Sequence, residues 1–380
     1  MDFQLTEEQQ MVRDMARDFA QGELAPRARK HDEQGFIDPE VFDQLRELGM
    51  WGFTIDEEWG GSGLGNLELS LMLEELNAGC ASTGVTVSVH NSLLGNPIKK
   101  FGTREQQQRW LPELATGERI GCYCLTEPNA GSDAGSLVTS AKRDGDGWQL
   151  DGTKIFVTNG AFAGLSIVYA RTSTELRGPK GISAFLVPME TEGVTVGKAE
   201  KKTGIRGSST TEVLFEKVKL PADALLGEEN RGFPIAMDTL DGGRIGIASQ
   251  ALGIGRACLE ASIRYSKERE QFGRPIGDFQ AVQWKLADMA TQLDAARLLT
   301  HRAAQTRDRG ERCTLHSAQA KLLASRVCNW CADECLQIHA GAGYTDDFEV
   351  ERLFRDARIT EIYEGATDIQ RIVIARSLLS

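Results

Sequence analysis

One long block, Ile120 to Gly227, constrains the fold more than any other part of the chain. It is rich in β-branched residues, glycine and turn signals, and no helical pattern interrupts it. Parallel strands need long crossovers, usually helical, so strands that follow one another without helices predict an antiparallel sheet. The same pattern argues against a Rossmann nucleotide domain, which alternates strand and helix. Trp148–Leu150 alternates, Asp151-Gly152 gives a hairpin signal, and Lys154–Thr158 alternates again. Ser166–Ala170, Ile182–Val187, Val194–Val196 and Glu212–Phe215 read as further strands.

The sequence on either side reads helical. Thr6-Glu7-Glu8-Gln9 has capping-box spacing, and Met11, Val12, Met15, Ala16 and Phe19 follow on one apolar face. Asp38-Pro39 opens a further helix and Gly49 closes it. Gly60–Gly65 has no strand before it and no G-x-G-x-x-G register. It reads as a turn ahead of a helix over Leu67–Asn77, not as a phosphate loop. Thr103–Gln106 is another capping box, heading a short helix that Pro112 should end. Longer helices follow the strand block. They are Pro234–Glu268, in spite of Gly242 and Gly243; a helix capped by Asp278 that runs to Arg309 and stops at Gly310; Thr314–Ile338; and Thr367–Leu379. Short connections predict antiparallel neighbours in a four-helix bundle. The expected fold is α+β: an N-terminal all-α domain over residues 1–119, a middle antiparallel, barrel-like β domain over 120–231, and a C-terminal helical bundle over 232–380.

Charge and composition narrow the partners. The net charge of −12 argues against nucleic acid, which needs a basic surface. No apolar run reaches membrane-spanning length, and the N-terminus M-D-F-Q-L-T-E-E-Q-Q lacks a signal core or an Arg-rich transit pattern. A cytoplasmic enzyme is expected. Cys328, Cys331 and Cys335, as C-x2-C-x3-C, invite a metal or iron–sulfur reading. They fall one and two turns apart on one face of a helical pattern, Ser317–His339, and no fourth thiolate stands at suitable spacing. They read as buried free cysteines packing as small hydrophobes, with no metal site.

Chemistry concentrates in Ile359–Arg371, I-T-E-I-Y-E-G-A-T-D-I-Q-R. Thr367–Gln370 has capping-box spacing, which places Glu364 just ahead of a helix start, between Ile362-Tyr363 and Gly365. Apolar neighbours make a carboxylate more basic, while a helix N-terminus pulls the other way. Gly365 lets a ligand approach the backbone. Two readings stand: a general base, or a carboxylate that offsets a helix dipole. Further back lies Asp241-Gly242-Gly243-Arg244. Consecutive glycines inside a helix cost about 1 kcal/mol each, which close approach of a ligand would explain. Arg244 suits charged hydrogen bonds there, or a buried structural ion pair.

Ile359–Arg371 closely resembles the C-terminal signature of the flavin-dependent acyl-CoA dehydrogenases, and Tyr123–Ser132, Y-C-L-T-E-P-N-A-G-S, resembles that family's flavin loop. The resemblance runs from about Gln4 to Leu379 and looks most like the short-chain, butyryl-CoA branch. It implies α,β-dehydrogenation of an acyl-CoA to a trans-2-enoyl-CoA. Glu364 would take the α-proton, and FAD the β-hydride at N5. The thioester oxygen would be bound by the Glu364 N–H and a ribityl hydroxyl, and electrons would pass to an electron-transferring flavoprotein. It also implies a flavin site from Tyr123, Cys124, Leu125, Thr126 and Ser132, joined by Phe156, Val157 and Thr158; the family more often has Trp where this chain has Phe156.

By the same resemblance Arg269, Phe272 and Gln280 would reach the FAD of a neighbouring subunit. Gln337, Ile338, His339, Ala340 and Gly341 would form the loop that receives it, and a tetramer built from two dimers would follow. Ala366, Thr367 and Asp368 would also touch the cofactor. Ser132, Asp241, Gly242, Gly243, Arg244 and Gly365 would meet the substrate. In the isovaleryl and long-chain branches the catalytic glutamate stands at the position of Gly243; here that position is glycine. The acyl tail would lie among Ile247–Ile254 and Val87–Leu93, a short straight acyl group on overall likeness. An acyl-CoA oxidase, using the same base and flavin with oxygen as acceptor, and a non-enzymatic helical scaffold are the alternatives.

Overall fold

The computed structural model describes residues 4–379, so the first three residues of the N-terminal stretch and the last residue of the chain lie outside it. Glu7–Phe19 (α1) starts at a closed capping box: Thr6 Oγ1 accepts from the Gln9 N–H at 3.2 Å and Gln9 Oε1 from the Thr6 N–H at 3.0 Å. A π-helical turn, Ala20–Leu24, leads without a break into Ala25–Gln34 (α2), a helix the apolar pattern does not announce. Pro39–Glu47 (α3) ends at the left-handed Gly49, and the glycine-rich turn delivers Asn66–Gly79 (α4). Ala81–Ser88 (α5), a π-helical segment Val89–Gly95 and Asn96–Phe101 (α6) form one rod. Arg104–Ala115 (α7) has the expected box at Thr103. Pro112 does not end it. The ring sits in the last turn, and the chain leaves the helix at Gly117, where φ is +68°.

The middle of the chain is a sheet in the order β6-β7-β3-β2-β4-β5-β8. Its strands are Gly121–Cys124 (β1), Ser140–Asp144 (β2), Gly147–Thr158 (β3), Leu165–Arg171 (β4), Ile182–Pro188 (β5), Val194–Val196 (β6), Thr210–Leu220 (β7) and Leu225–Leu226 (β8). Most pairs are antiparallel. The exceptions lie on one edge of β4, which β1 joins in parallel and which meets the start of β2 at Arg171–Ser140. Asp151-Gly152 is not a hairpin turn. β3 runs straight through it, paired with β7 on both sides, and a bulge sets Glu216 and Lys217 of β7 opposite the single Asp151. The turn falls at Gly145-Asp146, where Gly145 supplies φ +63°. Side chains alternate across the sheet. Leu165, Ile167 and Tyr169 face a core shared with α6 and α7, while Val168 and Ala170 face a core with Trp148, Phe185 and Phe215.

Gly232–Glu268 (α8) spans 37 residues and packs against α4 and the remaining helices. A small hairpin, Glu270–Gln271 (β9) and Arg274–Pro275 (β10), leads to Gln280–Asp308 (α9). Asp278 does not cap α9. It ends a 3₁₀ turn, and the extended Phe279 takes the cap position without a side-chain bond. Thr314–His339 (α10), Val350–Arg358 (α11) and Thr367–Leu379 (α12) follow. α11 falls in a segment that reads as merely charged. Its three apolar anchors, Val350, Leu353 and Ala357, are few but share one face against α10 and α8. Cys328, Cys331 and Cys335 are free, buried and part of the bundle core. Among the described residues, no helix is long and apolar enough to cross a membrane.

The contact of α8 with α4 is close enough to exclude a side chain. A Cβ built on Gly253 would collide with the Glu74 carbonyl of α4. Gly→Ala in a helix ordinarily gains about 1 kcal/mol. Here Gly253→Ala is expected instead to cost about 1–3 kcal/mol by forcing the helices apart, read as a lowered thermal midpoint of the purified protein.

Candidate active site

The Glu364 loop connects a 3₁₀ turn, Ile359–Glu361, to α12. Two successive residues in the left-handed region, Glu364 at φ +50° and Gly365 at φ +95°, turn the chain. Glycine adopts that conformation freely; a glutamate does so only when its surroundings hold it. The expected capping box at Thr367 does not form. Thr367 is the first helical residue, the Gln370 N–H donates to the Ala366 carbonyl, and Thr367 Oγ1 donates to Glu361 O at 3.2 Å. Gln370 instead turns its side-chain amide to Gly365 O at 2.7 Å, bracing the loop from the helix side.

Glu364 is half-buried as a residue, but its Oε2 is shut off from solvent and has no hydrogen-bond partner. The carboxylate lies against α8 at Gly243, where an added Cβ would collide with Oε2 and with Leu93. Gly242, beside it, leaves room for the Arg307 guanidinium, so the two glycines have separate reasons. Arg244 donates to Asp241 Oδ1 at 2.6 Å, and Asp241 also accepts from Thr314 Oγ1 at 2.6 Å. The Arg244 Nε, like Glu364 Oε2, is buried and unpartnered. Burial pushes the Glu364 carboxyl up to about 7, against the pull of Lys321 and Arg244. A carboxyl raised toward neutrality, beside buried polar atoms without partners, is suited to proton abstraction from a carbon acid.

The sequence-picked flavin segments come together. The Ile155 N–H donates to Thr126 O at 2.9 Å, which sets β3 beside the Tyr123–Ser132 loop. The side chains of Cys124, Leu125 and Val157 point inward, so these residues present only backbone. Tyr123 is half-buried with its ring near Tyr169, at 5.2 Å between centroids. The hydroxyls of Thr126, Ser132 and Thr158 make no hydrogen bond among the described residues. Phe156 is held at φ +56° with 62% of its surface exposed. Three free hydroxyls beside an uncovered aromatic face fit the FAD that the resemblance implies: a flat ring with a polar edge.

A second group of picked residues does not reach this place within one chain. Arg269, Phe272 and Gln280 lie exposed around the β9–β10 hairpin, beyond the C-terminal end of α8. By helical rise that is about 39 Å along α8 from Gly243. Gln337–Gly341 ends α10 at the same end of the bundle, where His339 stacks on Tyr265 at 4.2 Å. Ile338 and His339 are buried there, leaving Gln337, Ala340 and Gly341 at the surface. Ala366 and Thr367 adjoin Glu364, and the exposed Asp368 pairs with Arg371 at 2.7 Å.

Several contributors are absent from the motif reading. Lys321 of α10 donates to Tyr363 O at 2.8 Å and Gly365 O at 2.6 Å. The Tyr363 hydroxyl donates to Gln250 Oε1 on α8. Lys154, buried on β3, pairs with Glu127 at 2.7 Å and donates to Leu125 O at 3.0 Å, while Glu127 accepts from the Val138 and Thr139 N–H groups. That pair braces the whole Leu125–Thr139 loop. The available signal was a lysine on the same face of α10 as the small, mostly apolar residues Ser317, Ala324, Cys328, Cys331 and Cys335.

The buried carboxyl has a cost that depends on pH. Its folded value, about 7, lies above the ordinary 4.5, so the protonated form is the one folding favours. The Glu364 contribution is neutral below about pH 4.5, and on the order of 3 kcal/mol of stability is lost as pH rises from about 4.5 to about 7, with no further change above that. Glu364→Gln, which mimics the neutral form, should melt close to wild type at about pH 5 and above it at about pH 8. Equal midpoints at both would mean that the carboxylate is hydrated.

The comparisons with known proteins agree along the whole chain. Residues 6–118, 122–218 and 230–379 match, in order, the N-terminal, middle and C-terminal domains of the acyl-CoA dehydrogenases. The mitochondrial short-chain specific acyl-CoA dehydrogenase of Bos taurus is 50% identical over 376 residues, 99% of this chain and 91% of that protein. Butyryl-CoA dehydrogenase from Megasphaera elsdenii superposes with a TM-score of 0.98 at 44% identity, covering 100% of both chains. A chain of the structure described as the electron transferring flavoprotein of Acidaminococcus fermentans superposes equally well, TM-score 0.98 at 46% identity, again over 100% of both. The chain belongs to the acyl-CoA dehydrogenase family of FAD-dependent oxidoreductases.

Proposed function

We propose that the chain oxidises a short-chain acyl-CoA across its α,β bond, with Glu364 as the base that removes the α-proton. One observation carries the reading: a carboxyl raised to about 7 by burial, whose Oε2 is shut away from solvent without a hydrogen-bond partner and seated against a glycine. An α-hydrogen of a thioester is a weak acid, so the base must be strong, dry and held at one angle. The Glu364 N–H donates to no group among the described residues and is free for the thioester oxygen. That bond strengthens as charge develops on the oxygen. Bound FAD supplies the acceptor for the β-hydride. Thr126, Ser132, Thr158 and Phe156 are the residues we assign to hold it, with Lys154 and Glu127 keeping their loop in place.

The α8 face supports a short acyl group. Gly243, Gly246 and Gln250 share one side of the helix, and Gln250 is tied to Tyr363 of the base's own loop. A tail laid along α8 from Glu364 meets that tie about 10 Å beyond Gly243. Butyryl-CoA should therefore turn over at least about tenfold faster, as kcat/KM, than dodecanoyl-CoA, whose extended tail is long enough to meet the tie; the reverse order would remove the tie as the limit. The separation of the Arg269–Gln280 and Gln337–Gly341 groups from Glu364 supports a cofactor site completed by a second subunit. The likeness to the Acidaminococcus chain supports an electron-transferring flavoprotein as acceptor. Peroxide release at the turnover rate under air would favour an oxidase instead.

Glu364→Gln keeps the size and the N–H and removes the base. With butyryl-CoA and no oxygen, flavin bleaching should slow by about 10²–10⁴-fold or more while the flavin stays bound. Near-normal bleaching would place the base elsewhere. Moving the carboxylate to Gly243 is a second test, and the geometry dictates its background. A side chain at 243 collides with the one at 364, so Gly243→Glu should recover bleaching only with Glu364→Gly, not with Glu364→Gln.

A further inference from the structure

Lys321 is fully buried, yet it has no carboxylate within ion-pair distance among the described residues. Its ammonium donates to the carbonyls of Tyr363 and Gly365, at 2.8 and 2.6 Å. A buried cation without a paired anion is costly, and a hydrophobic side chain of the same length would fill the space at less cost. The two carbonyls are those directly before and after Glu364, so one ammonium spans the residue that must be held in a left-handed backbone.

We propose that Lys321 is a positioning residue for the base: it fixes the Glu364 loop through the two flanking carbonyls and, as an enclosed cation, keeps Glu364 available as a carboxylate near neutral pH. This rests on the reading of Glu364 as the base. The groups that face Glu364 are Lys321 from α10, Arg244 with its partner Asp241 from α8, the Tyr123 phenol from β1 and Tyr363 on the loop itself. Glu361 acts in turn on Lys321. Burial raises the Glu364 carboxyl, and Lys321 opposes it ahead of Arg244. Burial also lowers Lys321, to about 8, so it remains a cation where Glu364 ionises. Without that charge the carboxyl rises further. Because the ionised form is the active one, the acid limb of the rate profile moves to higher pH.

The experiment is anaerobic flavin bleaching by butyryl-CoA, from about pH 5.5 to 9, on FAD-loaded wild type, Lys321→Met, Lys321→Arg and Glu364→Gln. In Lys321→Met the acid limb should move up by about one pH unit, so that the loss against wild type is roughly tenfold greater at low pH than at high. In Lys321→Arg, which keeps the charge but not the length, the limb should stay and the plateau fall. A Lys321→Met limb superimposed on wild type overturns the proposal, whatever its plateau, since a purely structural role lowers the rate at all pH alike. Should Lys321→Met not fold or hold FAD, Lys321→Arg decides: an upward limb with the charge retained also overturns it. Glu364→Gln separates the two claims. If it bleaches normally the base reading fails; if it is dead and the Lys321→Met limb unmoved, only the Lys321 inference fails.

Discussion

The structure around the site depends on one unfavourable act, the burial of Glu364 Oε2 without a hydrogen-bond partner. Water would solvate the group and lower its basicity, so the surroundings must exclude water without supplying donors in its place. Gly243 removes the side chain that would otherwise occupy the carboxylate's place, and Leu93 of the π-helical segment packs against the same glycine. The two cations nearby, Lys321 and Arg244, act across space; each spends its own hydrogen bonds elsewhere, on loop carbonyls and on Asp241. That division matters. A direct ion pair would drop the carboxyl towards its ordinary range and leave a weak base. Field without contact leaves it near 7.

The segments assigned to the candidate site were legible because they are contiguous. Ile359–Arg371 and Tyr123–Ser132 each hold several site groups in one stretch of backbone, so the order of residues alone marks them. What was not legible is what reaches the site from a distant element. Lys321 lies 43 positions before Glu364 and looks, in sequence, like one more lysine on a helix; its meaning comes only from the α10 face it lies on. Lys154 and Glu127 are hidden in the same way, a strand lysine and a loop glutamate until the fold pairs them.

The misread elements have local causes. Asp151-Gly152 carries a hairpin signal, but β7 is long enough to pair with β3 on both sides of it, and the tertiary partner overrides the turn propensity. α11 has too few apolar positions to announce itself, and its buried Arg352 and Asp356 answer each other and the Ile205 N–H instead of solvent. Thr367 looks like a cap because the motif is scored against an isolated helix start. In the folded chain the Gln370 N–H that such a cap would bind is taken by the Ala366 carbonyl, the Thr367 hydroxyl turns back to Glu361 O, and the helix begins one residue earlier.

The strained backbone positions follow the same logic. Among the non-glycine residues at positive φ, Phe156, Phe272, Ala340 and Glu364 all belong to segments picked for cofactor or substrate. The first three are largely exposed, so little packing in the single chain holds them in a conformation that costs on the order of 1 kcal/mol or more each. Glu364 differs, being held by Lys321 and Gln370 on either side of its peptide. Strain that the isolated chain does not support has to be supported by what binds there. In the proposed assembly, FAD and a second subunit would supply that support at Phe156 and at the Phe272 region. Glu364 stands outside this dependence, because its loop is locked by the chain's own groups.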